Sequence, residues 1–208
     1  MNLPTKITVV RIILTPLFFV FFLLPEWVLY WFYDSLSEES LFVLNIISVA
    51  AVWIFLILAE LSDAADGFIA RRYHMVTDLG KLMDPFSDVL IRITYFVCFA
   101  VSGLMPVWIL MVILYRELAQ MFVRMLSVKD GTVIPANLWG KMKAILYAVV
   151  SIAGLAAESV FRFVPDLDAA VSEYIGTGLT VLFTAAAVVS VASFLTYLIP
   201  FLKTQSAD

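Results

Sequence analysis

Four aspartates lie close together in the sequence, in two pairs whose spacing suits helices. Asp63 and Asp66 are three positions apart, and Asp84 and Asp88 are four apart, so each pair occupies one face of its helix. A single aspartate of this kind is often a solvated residue near a helix end, where it suits the macrodipole. Two such pairs brought together would instead form a pocket of four carboxylates. Hard divalent cations take oxygen ligands, so the pattern predicts a site for Mg²⁺ or Mn²⁺.

The residues around the aspartates indicate a substrate that contains phosphate. Gly67 follows Asp66 directly, and Gly80 precedes Asp84 by four positions. Glycine lets a ligand approach the backbone without a Cβ in the way, although helix ends use glycine as well. Arg71 lies between the two pairs and adds a positive charge. Two carboxylate-bound metal ions beside an arginine predict phosphoryl chemistry, because such a metal pair clamps phosphoryl oxygens.

The elements that hold these residues must be membrane helices. The chain has 208 residues, of which 63% are hydrophobic, whereas soluble domains have roughly 45–50% apolar residues. Six continuous apolar runs are each about long enough to cross a bilayer as a helix, and in lipid the backbone must satisfy its own hydrogen bonds. These runs cover residues 7–24, 41–61, 82–102, 105–126, 143–161 and 176–201. We therefore predict an all-α integral membrane protein with about six transmembrane helices, folded as a single domain over residues 1–208.

Charged residues alternate between the two ends of the predicted helices. The basic set is Lys6, Arg11, Arg71, Arg72, Lys81, Lys129, Lys141, Lys143 and Lys203. The acidic set is Glu26, Asp34, Glu38, Glu39, Glu158, Asp166, Asp168 and Glu173. Lys and Arg prefer cytoplasmic loops, so both termini and the aspartates are expected on the cytoplasmic side of the cell (inner) membrane. The net charge of −4 argues against a nucleic-acid partner.

Residues 63–88 can also be read as one motif. They run Asp63-Ala-Ala-Asp66-Gly67-Phe-Ile-Ala70-Arg71, then eight residues, then Gly80-Lys-Leu-Met-Asp84-Pro-Phe-Ser-Asp88. This segment resembles the signature of the CDP-alcohol phosphotransferase family, D-x2-D-G-x2-A-R-x8-G-x3-D-x3-D, at all eight fixed positions.

The resemblance implies a reaction and a set of roles. Family members transfer the phosphatidyl or a similar unit of a CDP-linked lipid to an alcohol and release CMP. The implied metal ligands, for what are expected to be two ions, are Asp63, Asp66, Asp84 and Asp88. Asp88 is also the implied general base for the acceptor hydroxyl. The residues implied to hold the CDP moiety are Gly67, Ala70, Arg71, Gly80 and Thr8. A homodimer is implied as well.

Charged residues in the fourth and fifth predicted helices bear on the choice of acceptor. Charges at such depth normally face a polar cavity, which predicts a basic pocket for an anionic acceptor. A structural ion pair between Arg116 and Glu117 is the alternative. The residues expected to bind the acceptor phosphate are Arg116, Arg124, Lys141 and Lys143.

The pattern Arg116-Glu117 … Arg124 … Gly131 … Gly140-Lys141-Met-Lys143 resembles the branch of the family that uses glycerol-3-phosphate, as does the opening segment from Asn2 to Arg11. The chain departs from that branch at Thr5, where asparagine is frequent, and at Ala144, where threonine is frequent. The expected substrates are CDP-diacylglycerol and a phosphorylated small alcohol, with glycerol-3-phosphate first and an inositol phosphate as the alternative.

Two other classes of protein remain open at this point. Intramembrane aspartates also mark the paths of cation transporters, which typically place them near the midplane within an inverted repeat. These aspartates lie at one membrane face, and the sequence shows no repeat. An inactive scaffold is the second possibility, and the intact motif argues against it.

Overall fold

The computed structural model describes residues 3–32, 36–72, 78–129 and 138–205. Within these ranges the backbone is helical except for short caps and turns, and it contains no β-strand. The helices are α1 Leu3–Phe32, α2 Glu38–Arg72, α3 Asp78–Val101, α4 Val107–Lys129, α5 Leu138–Phe163 and α6 Ala169–Gln205. Each contains all or nearly all of one of the six apolar runs, so the predicted all-α fold is confirmed.

Four of these helices are long and apolar enough to cross a membrane. The segments that meet this condition are Thr5–Phe32, Glu38–Asp63, Leu138–Phe163 and Ala169–Leu202. α3 and α4 have comparable length, but charged residues such as Asp88 and Arg116 interrupt their apolar runs. The chain is therefore an all-α integral membrane protein. Three statements stay predictions: that α3 and α4 cross the membrane, that both termini face the cytoplasm, and that the chain is a single domain.

Local sequence explains where two of the long helices begin. Ser37 caps α2, since its Oγ accepts a hydrogen bond from the backbone N–H of Ser40 at 3.2 Å. Asp168 caps α6, accepting from the backbone N–H of Ala170 at 2.9 Å. Such oxygens satisfy amides that have no partner within the helix. Both helices therefore start earlier than their apolar runs.

Contacts divide the chain into two compact units, and each is described by itself. The first is Met1–Cys98 with Ser159–Pro165, and the second is Phe99–Glu158 with Asp166–Asp208. Aromatic rings fill the core of the first unit, where Phe18 lies 4.5 Å from Tyr95 between ring centroids. Cys98 is buried at its end, as expected of a small apolar residue.

A proline within α1 is compensated by side chains of other helices. Pro25 has no N–H, so the carbonyl of Phe21, four residues earlier, has no partner within the helix. Ser48 of α2 donates a hydrogen bond to that carbonyl at 2.7 Å. Arg162, near the end of α5, donates to Ser48 Oγ and to the carbonyl of Phe22, each at 2.8 Å. These bonds tie α1, α2 and the end of α5 together.

The core of the second unit depends on a close approach between a glycine and an aromatic ring. A Cβ at Gly154 of α5 would lie 2.8 Å from Cε2 of Phe99. Phe99 in turn packs against Phe183 of α6, with ring centroids 6.0 Å apart. Both phenylalanines are fully buried. The absence of a side chain at Gly154 therefore permits this packing.

Candidate active site

Three of the four aspartates converge in the first unit. Asp63 comes from α2, and Asp84 and Asp88 come from one face of α3. One carboxylate oxygen from each can be chosen so that all lie within 4.8 Å of one another. The convergence requires α2 and α3 to face each other, as the two helical pairs suggested. The side chain of Asp66 lies outside the described part of the structure.

A residue of α1 joins the three carboxylates. Nη1 of Arg11 donates to Oδ1 of Asp63 at 2.6 Å and to Oδ1 of Asp88 at 2.8 Å. Nη2 of Arg11 donates to Oδ1 of Asp84 at 2.5 Å. The guanidinium is almost fully buried, while the carboxylates are about half exposed.

The charge and the donor set of this cluster fit a divalent cation. Three ionised carboxylates carry three negative charges, and the Arg11 guanidinium offsets one of them. Each of these three bonds from Arg11 uses Oδ1, and a carboxylate has a second oxygen that can serve as a metal ligand. Oxygen donors are what Mg²⁺ and Mn²⁺ prefer. The cluster can therefore hold a metal ion.

Sequence reasoning missed the role of Arg11. Its charge was assigned to the basic end of the first helix, whereas the structure places it inside α1, at 1% exposure. The signal was present, because a charged residue within an apolar helix normally faces a polar partner.

Thr8 lies three residues before Arg11, on the same face of α1, and is buried. Four of the residues implied to hold the CDP moiety lie where the structure describes the helix backbone but not the side-chain surroundings. They are Gly67, Ala70, Arg71 and Gly80.

A second polar cluster lies in the second unit. The buried carboxylate of Glu117 in α4 accepts hydrogen bonds from Arg116 at 2.9 Å and from Nζ of Lys143 at 2.7 Å. The hydroxyl of Tyr147 donates to Glu117 at 3.0 Å. Since that hydroxyl has one proton, Ser190 must donate to Tyr147 across their 2.6 Å contact. Glu117 thus holds two of the four cations expected to bind the acceptor.

The remaining two expected acceptor ligands differ in their surroundings. Arg124 and Lys141 are exposed, whereas Arg116 is buried and its Nε also donates to the carbonyl of Ser190 at 2.8 Å. The structure therefore displays the ion pair between Arg116 and Glu117 that the sequence left as the alternative. Tyr147 and Ser190 were not anticipated, because an aromatic and a serine in apolar runs carry no distinctive signal.

Fold and site together define an all-α, multi-pass membrane protein with a carboxylate cluster able to hold a metal ion. The chain belongs to the CDP-alcohol phosphatidyltransferase family, whose model matches residues 1–198.

Three relatives illustrate the similarity. The chain is 32% identical over 163 residues to the CDP-diacylglycerol–glycerol-3-phosphate 3-phosphatidyltransferase of Treponema pallidum, covering 78% of this chain and 72% of the relative. It is 34% identical over 142 residues to the protein of the same name from Bacillus subtilis, covering 68% and 70%. A shorter match, 37% identical over 67 residues and 31% of each chain, is to a cardiolipin synthase (CMP-forming) of Streptomyces coelicolor.

Proposed function

We propose that this protein transfers the phosphatidyl group of CDP-diacylglycerol to glycerol-3-phosphate, giving phosphatidylglycerophosphate and CMP. The observation that carries the proposal is the convergence of Asp63, Asp84 and Asp88 within 4.8 Å in a chain of this family. Two relatives named for this reaction match over more than two thirds of both chains. Membership of the family disfavours the cation transporter considered at first.

The metal is proposed to be Mg²⁺ or Mn²⁺, bound as two ions by Asp63, Asp66, Asp84 and Asp88. Bound metal would neutralise charge on the diphosphate and make CMP a better leaving group. Gly67, Ala70, Arg71, Gly80 and Thr8 are proposed to hold the CDP moiety. Arg71 suits the diphosphate because its guanidinium presents two parallel N–H groups.

Asp88 is proposed as the general base. The hydroxyl of the acceptor is a weak nucleophile and must lose its proton as it attacks the phosphatidyl phosphorus. The new bond joins that oxygen to phosphorus, the bond between this phosphorus and the bridging diphosphate oxygen breaks, and CMP leaves with the electron pair. The proton passes to the Asp88 carboxylate.

The acceptor phosphate is proposed to bind to Arg116, Arg124, Lys141 and Lys143. Their surroundings suggest a division of labour among them. Arg124 and Lys141 are exposed, so their charges are available to a ligand from solution. Arg116 and Lys143 are bound to Glu117, and together these three residues carry one net positive charge. We infer that the exposed pair makes the main contacts while the buried group adds a fixed positive potential.

A panel of acceptors tests the reaction. Purified protein would be incubated with CDP-diacylglycerol, Mg²⁺ or Mn²⁺, and either glycerol-3-phosphate, an inositol phosphate, free inositol or choline. CMP and the lipid product would be measured by mass spectrometry. We expect phosphatidylglycerophosphate with glycerol-3-phosphate alone. CMP release only with an inositol phosphate would show that this compound, and not glycerol-3-phosphate, is the acceptor. Absence of CMP release with every alcohol would refute the proposed transferase activity.

Orientation, assembly and domain organisation are part of the same proposal. The site is proposed to face the cytoplasm, since basic residues gather at that end of the helices. Single cysteines at Asp166 and Ser206, introduced with Cys98→Ser, would be labelled in intact and in permeabilised cells. Labelling of position 206 only after permeabilisation supports the cytoplasmic orientation, and labelling of position 206 in intact cells contradicts it.

The protein is also proposed to be a homodimer of single-domain chains. Measuring the mass of the protein in nanodiscs would test the oligomeric state.

A further inference from the structure

An ion pair outside the proposed metal ligands joins the same two helices that carry them. Nη2 of Arg92 in α3 donates to Oε2 of Glu60 in α2 at 2.8 Å. Nη1 of the same guanidinium pairs with Oε1 of the same carboxylate. The side chains are 17% and 30% exposed respectively. Arg92 therefore contacts both oxygens of Glu60, through one hydrogen bond and one ion-pair contact, across 32 residues of sequence.

The position of this pair relates it to the aspartate cluster. Glu60 is three residues before Asp63, and Arg92 is four residues after Asp88, so each lies one helical turn from an aspartate on the same face. Going from the cluster to the ion pair moves backward along α2 and forward along α3. The two helices therefore run antiparallel here, with the aspartates at one level and the ion pair one turn further along.

The geometry of the pair makes it sensitive to how the helices are placed. A guanidinium that contacts both oxygens of one carboxylate restricts both the distance and the relative rotation of the two groups. A single hydrogen bond, or a lysine ammonium, leaves that rotation free. A rotation of either helix that breaks the pair also moves Asp63 or Asp88, which point from the same faces.

We propose that the Glu60–Arg92 ion pair is a positioning element of the metal site: it holds α2 and α3 in the register that brings Asp63 and Asp88 together. Neither residue touches the reacting atoms in this scheme. The proposal rests on the proposed function only for its activity readout, because metal binding is measured without substrate.

The experiment measures Mn²⁺ binding to the purified chain by electron paramagnetic resonance, together with thermal stability and the metal concentration that gives half-maximal CMP release. The variants are Glu60→Gln, Arg92→Gln, Arg92→Lys and the reversed pair Glu60→Arg with Arg92→Glu. We expect either glutamine variant to weaken Mn²⁺ binding about tenfold, as is typical when a partner that orients metal ligands is lost. The Mn²⁺ affinity of Arg92→Lys should be intermediate, and the reversed pair should recover most of the Mn²⁺ affinity.

A matched control separates positioning from stability. Ser48→Ala removes a hydrogen bond between α1 and α2 in the same unit, far in sequence from the aspartates. It should lower thermal stability and leave Mn²⁺ affinity unchanged. If Glu60→Gln and Arg92→Gln behave like Ser48→Ala, the pair is merely structural and the proposal fails.

The remaining outcomes also decide the question. If the glutamine variants do not fold, Arg92→Lys and the reversed pair carry the test, and a folded reversed pair with weak Mn²⁺ binding overturns the proposal. An unaltered chain that binds no Mn²⁺ overturns it as well. Intact Mn²⁺ binding with no CMP release would instead refute the proposed function and leave the positioning role standing.

Discussion

Arg11 of α1 donates from Nη1 to Oδ1 of Asp63 of α2 across 2.6 Å, although 52 residues separate the two in sequence. Through the same guanidinium α1 also reaches Asp84 and Asp88 of α3. The candidate metal site therefore depends on three helices, and the residue that links them lies outside the 26-residue signature.

Replacing Arg11 by glutamine should reduce CMP release by at least about tenfold, because orienting partners of metal ligands have effects of this size. Asp63, Asp84 and Asp88 would then lose the guanidinium that holds their carboxylates together. Arg11→Lys keeps the charge but replaces the planar guanidinium by a single ammonium, so its rate should be intermediate. The assay is CMP release at saturating substrates over a range of Mg²⁺ concentrations.

Lys6→Gln is the control for Arg11, since Lys6 is an exposed basic residue of the same helix. It should leave the rate unchanged. An Arg11→Gln enzyme as fast as the unaltered one would show that α1 contributes no charge to the site.

Asp88→Asn should lower turnover by roughly 10²–10⁴-fold, the usual contribution of a general base. Binding of the CDP-lipid should persist in part, because the other aspartates remain. Turnover is followed by CMP release and binding by thermal stabilisation with CDP-diacylglycerol. Turnover close to that of the unaltered protein would refute the role of Asp88 as base.

Arg124→Gln and Lys141→Gln should each raise the KM for glycerol-3-phosphate about tenfold, since a hydrogen bond to a charged group contributes about 1.5–3 kcal/mol. The KM for CDP-diacylglycerol and the melting temperature should change little, because both side chains are exposed. Steady-state kinetics with each substrate varied in turn provides the measurement.

The contrasting variant is Glu117→Gln. Its carboxylate is 2% exposed and holds two cations, so removing the charge should destabilise the fold as well as the pocket. A normal melting temperature in Glu117→Gln would contradict a structural role for the buried group. An unchanged KM for glycerol-3-phosphate in both Arg124→Gln and Lys141→Gln would contradict their role as the main contacts.

Gly154→Ala should lower the free energy of unfolding by about 1–3 kcal/mol, the usual cost of overpacking a core. The new Cβ would lie 2.8 Å from the buried ring of Phe99. Gly178→Ala in α6 is the matched control, because nothing lies within 4 Å of its Cβ position. There alanine should be neutral or stabilise the helix by up to about 1 kcal/mol. Thermal unfolding in detergent would compare the two, and equal effects would show that Phe99 moves aside.

The six helices could be predicted from the sequence because apolar runs report directly on the lipid environment. Their ends could not, since a helix continues into water until a cap or a breaker stops it. α2 was expected over 41–61 but extends from Glu38 to Arg72, so that Asp63 and Asp66 lie within the helix and not beyond its end. The spacing predicted that the aspartate pairs face each other, and within the described residues Asp63 converges with Asp84 and Asp88.

The contacts that cross between helices were not predictable from spacing. The ion pair of Glu60 with Arg92 depends on the register of α2 against α3, which no periodicity reveals. Tyr147 and Ser190 look like ordinary residues of apolar helices, and only the packing of α5 and α6 brings them to Glu117. Arg116 was expected to meet a phosphate, and the structure shows that it already has a carboxylate and a carbonyl as partners.

Pro25 has a consequence for how the protein is made. A ribosome delivers α1 and α2 to the membrane well before α5, and Ser48 can then cover the carbonyl of Phe21 that the proline leaves open. Arg162, which binds Ser48 and the carbonyl of Phe22, is synthesised 140 residues after Phe22. The bonds that Arg162 makes to the first helical pair can therefore form only after the fifth helix has been made. Chains truncated before residue 162 would lack these bonds between the fifth helix and the first pair.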